Sequence, residues 1–345
     1  MMNKLIKRSL IITFLLLLIV CITGGGFGYY FFLYPNFAAQ KTTYIYIYND
    51  KDFVNLCRQL EDSSNCLNIN SFKEVAKVLK YPSSMKAGRY AVQPGINNYG
   101  LLKILRNGQQ DPVRITFNNI RMKEDLATRL SEQLMITNQD LITLLNDASY
   151  CESLGFTTVT IKTMFLPNTY EVYWNISAER LMERMKREYD IFWTDDRRDK
   201  ARRIGLSPVE VSILASIVEE ESAMTDEYPT IPGVYIKRLH RGIPLQADPT
   251  VKYALGDFAI QRLLTRHTEI DSPYNTYLYS GLPPGPLRIP SLIGLESVLN
   301  YRKHNYLYMC AKEDFSGRHN FAVTLSEHNR NAERWHAELN RRGIR

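Results

Sequence analysis

Ser207-Pro-Val-Glu-Val-Ser-Ile-Leu-Ala-Ser-Ile-Val-Glu-Glu-Glu-Ser222 is the stretch from which the rest of the chain can be read. Ser207 and Glu210 stand at the spacing of a helix capping box, and Pro208 suits the first helical position. Apolar residues then recur at helical spacing: Val211, Leu214, Ala215 and Val218. At about 100° per residue, Glu221 falls near the middle of that stripe. Glu219 points away from it, and Glu220 lies at its edge beyond Ile217 and Ile213. One acid of three is thus aimed at the apolar side. Burying a carboxylate there is costly unless it is paired or protonated. Desolvation raises its pKa towards the range that a general acid needs near neutral pH. The competing reading ends the helix near Glu219 and leaves all three acids in water.

The chain has 345 residues, enough for two or three globular units, and 45% of them are hydrophobic. The net charge of +7 is spread along the sequence, as in 184–203 and 341–345. Most such runs are solvated helical surface. As a whole the excess suits an acidic polymer or an anionic lipid face. Neither a zinc-ligand spacing nor an RNA-recognition aromatic motif occurs, so no nucleic-acid partner is expected. At the N-terminus, Lys4, Lys7 and Arg8 precede an apolar run from Ser9 to about Tyr34. That run exceeds the roughly 20 residues needed to cross a bilayer and the 7–15 of a cleavable signal. A retained single-pass anchor is expected, with the basic flank in the cytoplasm and the remainder outside it. The five cysteines, Cys21, Cys57, Cys66, Cys151 and Cys310, include no Cys-x-x-Cys pair, which argues against zinc or redox chemistry. Cys57 and Cys66 are equally compatible with a bridge and with free thiols.

Behind the anchor, 43–48 alternates as a strand, 52–60 and 71–79 read as helices, and 86–95 reads as a strand ending in a turn. A helix over 98–106 and a strand over 112–117 complete a small α+β unit. Residues 118–203 are mostly helical, with helices over 121–135, 138–147 and 177–189 and an interruption at 164–174. The stretch from Arg330 onward reads as a polar helix without evident chemistry.

The region after Glu221 is dense in motifs. Pro232 to Gly242 forms a helix closed by glycine. Leu245-Gln-Ala-Asp-Pro-Thr250 is a turn with helix-capping character. Tyr274-Asn-Thr-Tyr277 and Gly281-Leu-Pro-Pro-Gly285 suit a rigid groove wall, where tyrosine can stack on sugars and amides can bind hydroxyls. His319-Asn-Phe321 and His328-Asn329 follow. Neither His-Glu-x-x-His nor Gly-x-Ser-x-Gly occurs, which removes that class of metalloprotease and the α/β-hydrolases.

These motifs, in this order and behind a single anchor, resemble the endolytic murein transglycosylases of the MltG/YceG-like family over nearly the whole chain. Lys86-Ala-Gly-Arg-Tyr90 resembles that family's LysM-like module. The resemblance implies an α+β protein with cytoplasmic residues 1–8, a transmembrane anchor at 9–34 and a LysM-like module at 40–117. A catalytic domain follows at 118–345, comprising a helical region (118–206) and a motif-rich core (207–329). It maps the catalytic glutamate to Glu221. Gln246, Asp248, Asn275 and Tyr277 are implied to orient sugar, with His319, Asn320, His328 and Asn329 in the same cleft. Three positions depart from the family pattern. Glu220 stands for a common lysine, adding a negative neighbour that pushes Glu221 up further, while Ser222 and Ala247 stand for threonines. Residues 287–291 match more weakly.

The implied reaction cuts the bond after N-acetylmuramic acid in nascent strands and closes a 1,6-anhydro end, which limits strand growth. No cofactor or metal is called for, and the implied setting is the bacterial inner membrane beside cell-wall synthases. Two alternatives remain at this point. A muramidase would use Asp248 as its second carboxylate. A non-catalytic wall-binding protein would not need Glu221.

Overall fold

The computed structural model describes residues 2–260 and 262–344. Met1 and Arg345, the outer limits of the expected segments, lie outside the described residues. The chain is a mixed α+β protein led by one long apolar helix, α1 (Met2–Phe32). Within α1, Ile6–Phe32 is 27 residues long with mean hydropathy 2.6, long and apolar enough to cross a membrane. The helix runs unbroken through Gly24-Gly-Gly26. From Ile6 onward its leucines and isoleucines are open, an exposed apolar surface of the kind that lipid or a partner covers.

Two compact units follow from the contacts. One comprises residues 1–115, 133–135 and 171–176; the other comprises 116–132, 136–170 and 177–345. In the first, β1 (Thr43–Ile47), α2 (Phe53–Ser64), α3 (Ile69–Val78) and β2 (Gly88–Val92) lead to α4 (Asn98–Asn107) and β3 (Val113–Thr116). β1 and β2 pair antiparallel from Thr43 opposite Val92 to Ile47 opposite Gly88. Alternation along each strand sends Ile45, Ile47, Tyr90 and Val92 into a core with Leu56, Leu60, Phe72 and Leu101. Asp52, Asn68 and Asn97 cap the three helices through their side chains, the role such residues play best. Phe31 and Phe32, at the end of α1, pack on the same core.

The second unit contains α5 (Lys123–Ser131), α6 (Asn138–Asn146), α7 (Ala148–Ser153), α8 (Ala178–Phe192), α9 (Asp195–Arg203) and α10 (Pro208–Glu221). It continues with α11 (Ile231–His240), α12 (Asp248–Leu255), α13 (Thr265–Thr268), α14 (Leu292–Leu299) and α15 (Leu325–Arg341). β4 (Thr169–Val172) lies inside the expected interruption. β5 (Tyr308–Ala311) and β6 (His319–Ala322) form an antiparallel hairpin. α10 is the central element, with α14, α11 and α12 packed around it. Its capping box is formed: Glu210 N donates to Ser207 Oγ at 3.3 Å, and Ser207 N donates to Glu210 Oε2 at 2.7 Å. Every residue from Val211 to Val218 is buried, Ser212 and Ser216 included. The one-sided stripe read from the sequence is therefore part of a helix covered all round.

Cys57 and Cys66 are free thiols, as are the other three. Burial pushes the Cys57 thiol up to about 11.

Candidate active site

α10 ends on its three acids, and none of them is solvated. Glu219, expected to point away, has a side chain only 6% exposed, because α14 covers that face. It accepts from Ser291 N at 3.0 Å and from Ser291 Oγ, at the start of α14. The absence of a side chain at Gly294 leaves room for its carboxylate. Glu220 accepts from Arg121 Nε at 3.1 Å and Nη2 at 2.7 Å, and from Arg288 Nη1 at 3.2 Å. Two guanidiniums thus neutralise Glu220, and the expectation that it drives Glu221 upward is corrected. The negative neighbour that does so is Asp248.

Glu221 opens on a cavity of about 560 Å³ built by α11, α12, α15, the β5–β6 hairpin and Tyr277. Its side chain keeps 16% of its surface exposed, enough to be reached from the cavity. Tyr235 Oη, from α11, donates to Glu221 Oε2 at 2.9 Å. His319 Nε2 lies 3.8 Å from Oε1. Burial holds the Glu221 carboxyl above the usual carboxylate range, and Asp248 adds to the effect. His319, the Tyr235 hydroxyl and Lys252 oppose it. A carboxyl raised in this way holds its proton more tightly than an exposed one, which suits a group that gives a proton to a leaving oxygen.

The other sequence-derived residues divide into two groups. Gln246, Asp248, Tyr277, His319, His328 and Asn329 all line the cavity. Tyr277 Oη donates to Asp248 Oδ1 at 2.5 Å. Gln246 accepts from Arg238 Nη2 at 2.6 Å through Oε1 and sits at φ 51°. The His328 ring lies parallel to Tyr308 at 5.3 Å, and burial, reinforced by Arg238, lowers its pKa.

Asn275 and Asn320 do not line the cavity. Asn275 is fully buried; its Nδ2 donates to Thr268 O and Ile270 O, and its Oδ1 accepts from Tyr277 N at 3.0 Å. It shapes the loop that presents Tyr277 instead of touching a ligand. Asn320 follows His319 on β6, and strand alternation turns it to the other face, where it donates to Glu313 at 2.9 Å.

Sequence reasoning missed Tyr235, Arg238, Lys252 and Trp335. Tyr235 and Arg238 stand three apart on α11 and so share a face, a signal that the helix pattern did contain. Trp335 and His336 come from α15, the segment read as without chemistry, and both line the cavity.

A model of the YceG-like family matches residues 45–334. The chain belongs to the YceG-like family. A Bacillus subtilis (strain 168) protein named endolytic murein transglycosylase is 28% identical over 290 residues, 79% of this chain and 79% of that protein. A Streptococcus pneumoniae (strain R6) protein of the same name is 28% identical over 304 residues. The match takes in 78% of this chain but 54% of the pneumococcal protein, so the chain spans about half the length of that relative. A crystal structure of a YceG-like protein from Listeria monocytogenes is similar at a TM-score of 0.54 and 26% identity, covering 85% of this chain and 99% of that one. Family membership and the α+β fold agree with the expectation from sequence.

Proposed function

We propose that this YceG-like protein is an endolytic murein transglycosylase, with Glu221 as its one acid and base. The observation that carries the assignment of Glu221 is its setting. It is a desolvated carboxyl held by a tyrosine hydroxyl at the wall of a cavity lined by further aromatic and amide side chains. The reaction itself is supported by the names of the relatives.

Glu221 gives its proton to the glycosidic oxygen that follows an N-acetylmuramic acid unit. The same carboxylate then takes the proton from that sugar's C6 hydroxyl, whose oxygen closes on the anomeric carbon. A 1,6-anhydro end forms and no water enters the product. The nucleophile belongs to the sugar undergoing cleavage, so proximity supplies part of the rate. The Tyr235 hydroxyl on Oε2 leaves Oε1 as the oxygen that exchanges the proton. Tyr277 and Asp248, bonded to each other, and Gln246, whose Oε1 is taken by Arg238, orient the sugar and its N-acetyl group from the facing wall. Cuts within nascent strands limit strand elongation.

Residues 40–117 act as a LysM-like module. Support comes from the β1-α2-α3-β2 order, with two helices between paired antiparallel strands. Residues 118–345 form the catalytic domain. α1 anchors the chain in the inner membrane with its basic end in the cytoplasm, near the synthases that make the strands. The hydrolytic reading rests on Asp248, a second carboxylate at the same cavity; it requires water in the product and reducing ends.

The test is kinetic. Glu221→Gln lowers the cleavage rate by about 10²–10⁴-fold while thermal unfolding stays cooperative. The wild-type rate falls as pH rises through the raised pKa of Glu221, because the acid must be protonated before it can donate. An active Glu221→Gln enzyme sinks the assignment.

A further inference from the structure

Glu227 has no part in the reaction above, yet it is 7% exposed and sits among three donors. Ser222 Oγ donates to its Oε2 at 3.2 Å, and His319 Nδ1 approaches the same oxygen at 2.9 Å. His319 N donates to its Oε1 at 2.9 Å. A carboxylate accepts, so Nδ1 carries a hydrogen and the ring turns Nε2 towards Glu221 Oε1 at 3.8 Å. That separation is too long for a hydrogen bond and short for an interaction between charges.

A single carboxyl that serves twice has one awkward interval. Between its two proton transfers Glu221 is an anion in a desolvated site facing Asp248. The groups around it are the Tyr235 hydroxyl on α11, Asp248 and Lys252 on α12, and His319 on β6. His319 contributes most among those favouring the anion, and Glu227 behind the ring favours positive charge on it.

Building on the transglycosylase reading, we infer that Glu227 and His319 are positioning residues. Together they hold a positive charge against Glu221 while it waits, as a carboxylate, for the C6 hydroxyl proton. His319 keeps both of its ring protons throughout. The proton that Glu221 gives to the leaving oxygen is replaced by the one it takes from the sugar.

The experiment uses the full chain in detergent micelles with purified glycan strands. Glu227→Gln and His319→Gln lower kcat at least about tenfold, with KM changed by less than about threefold. Losing the cation makes the Glu221 anion harder to form, so the alkaline limb of the rate profile moves up by about one pH unit. Glu227→Asp, which keeps the charge, restores the position of the limb. A fall in kcat with the limb unmoved means a structural clamp and overturns the inference. On the unmutated protein, ¹⁵N-histidine NMR at pH 7 finds hydrogen on both ring nitrogens of His319; a bare Nε2 overturns the inference even if the variants do not fold. If the wild type forms no anhydro ends, the functional reading fails, and the ring-nitrogen result still judges this one.

Discussion

Gln246 combines a left-handed backbone with a place at the wall of the cavity. Its φ of 51° lies in the left-handed region, which costs a non-glycine residue roughly 1–2 kcal/mol. Gln246 N donates to Thr276 O, Ala247 N donates to Thr276 Oγ1, and Arg238 holds the side-chain oxygen. The surroundings impose the conformation, and the result is an amide at the cavity wall. Gln246→Gly is therefore more stable than Gln246→Ala by about 1 kcal/mol, although both lose the amide and its activity alike. Thermal unfolding of the pair, with anhydro ends counted for each, checks both halves. The place of Gln246 at the cavity was legible in its motif; its strain was not, because the contacts that hold it come from Thr276 and Arg238. The angular position of Glu221 signalled a partly buried carboxyl, and its side chain is 16% exposed, but the same angle put Glu219 in water, where it is not. Glu227 was not legible, since nothing in its own stretch announces a carboxylate facing a strand 92 residues away. Asn275 misled because its motif is about presenting Tyr277, a task carried out by backbone contacts.

At the scale of elements, α10 was readable at its start and misread along its length. Capping chemistry is local, so Ser207 and Glu210 gave the boundary. Burial is not local: Ser212 and Ser216 look like a solvent face until the rest of the chain covers them. Ser216 Oγ accepts from Leu287 N at 2.9 Å and so ties the 281–290 loop to the helix. Lys162 pins the same loop from the other side. Its ammonium, on a residue 4% exposed, donates to Pro286 O at 3.1 Å, Arg121 O at 2.6 Å and Tyr253 Oη at 3.2 Å. Burial lowers its pKa to about 8. The unfolded lysine, near 10.4, binds more protons than the folded one between those values, so stability rises with pH across that window. Lys162→Met removes this dependence. The melting temperature of wild type minus that of the variant increases from pH 7 to pH 10; a constant difference contradicts the argument.

For the whole molecule, the long apolar helix was the plainest feature of the sequence, because length and hydropathy are read without tertiary information. The small α+β unit was nearly as plain, since strand alternation and asparagine caps are local signals. The role of α15 was not: a polar helix becomes a cavity wall only once β5 and β6 are in place. The account predicts that the full chain sediments with membranes and that removal of residues 2–28, which spares the core contacts of Phe31, Phe32 and Phe37, releases it to the soluble fraction. In spheroplasts, externally added protease reaches the unit that contains Glu221. Protection of that unit reverses the proposed topology.

The most direct test of the central claim is mass spectrometry of glycan strands digested by the detergent-solubilised chain, beside its Glu221→Gln variant. The account predicts internal fragments ending in 1,6-anhydro-muramic acid with the wild type and none with the variant. Reducing ends from the wild type, or anhydro ends from the variant, contradict it.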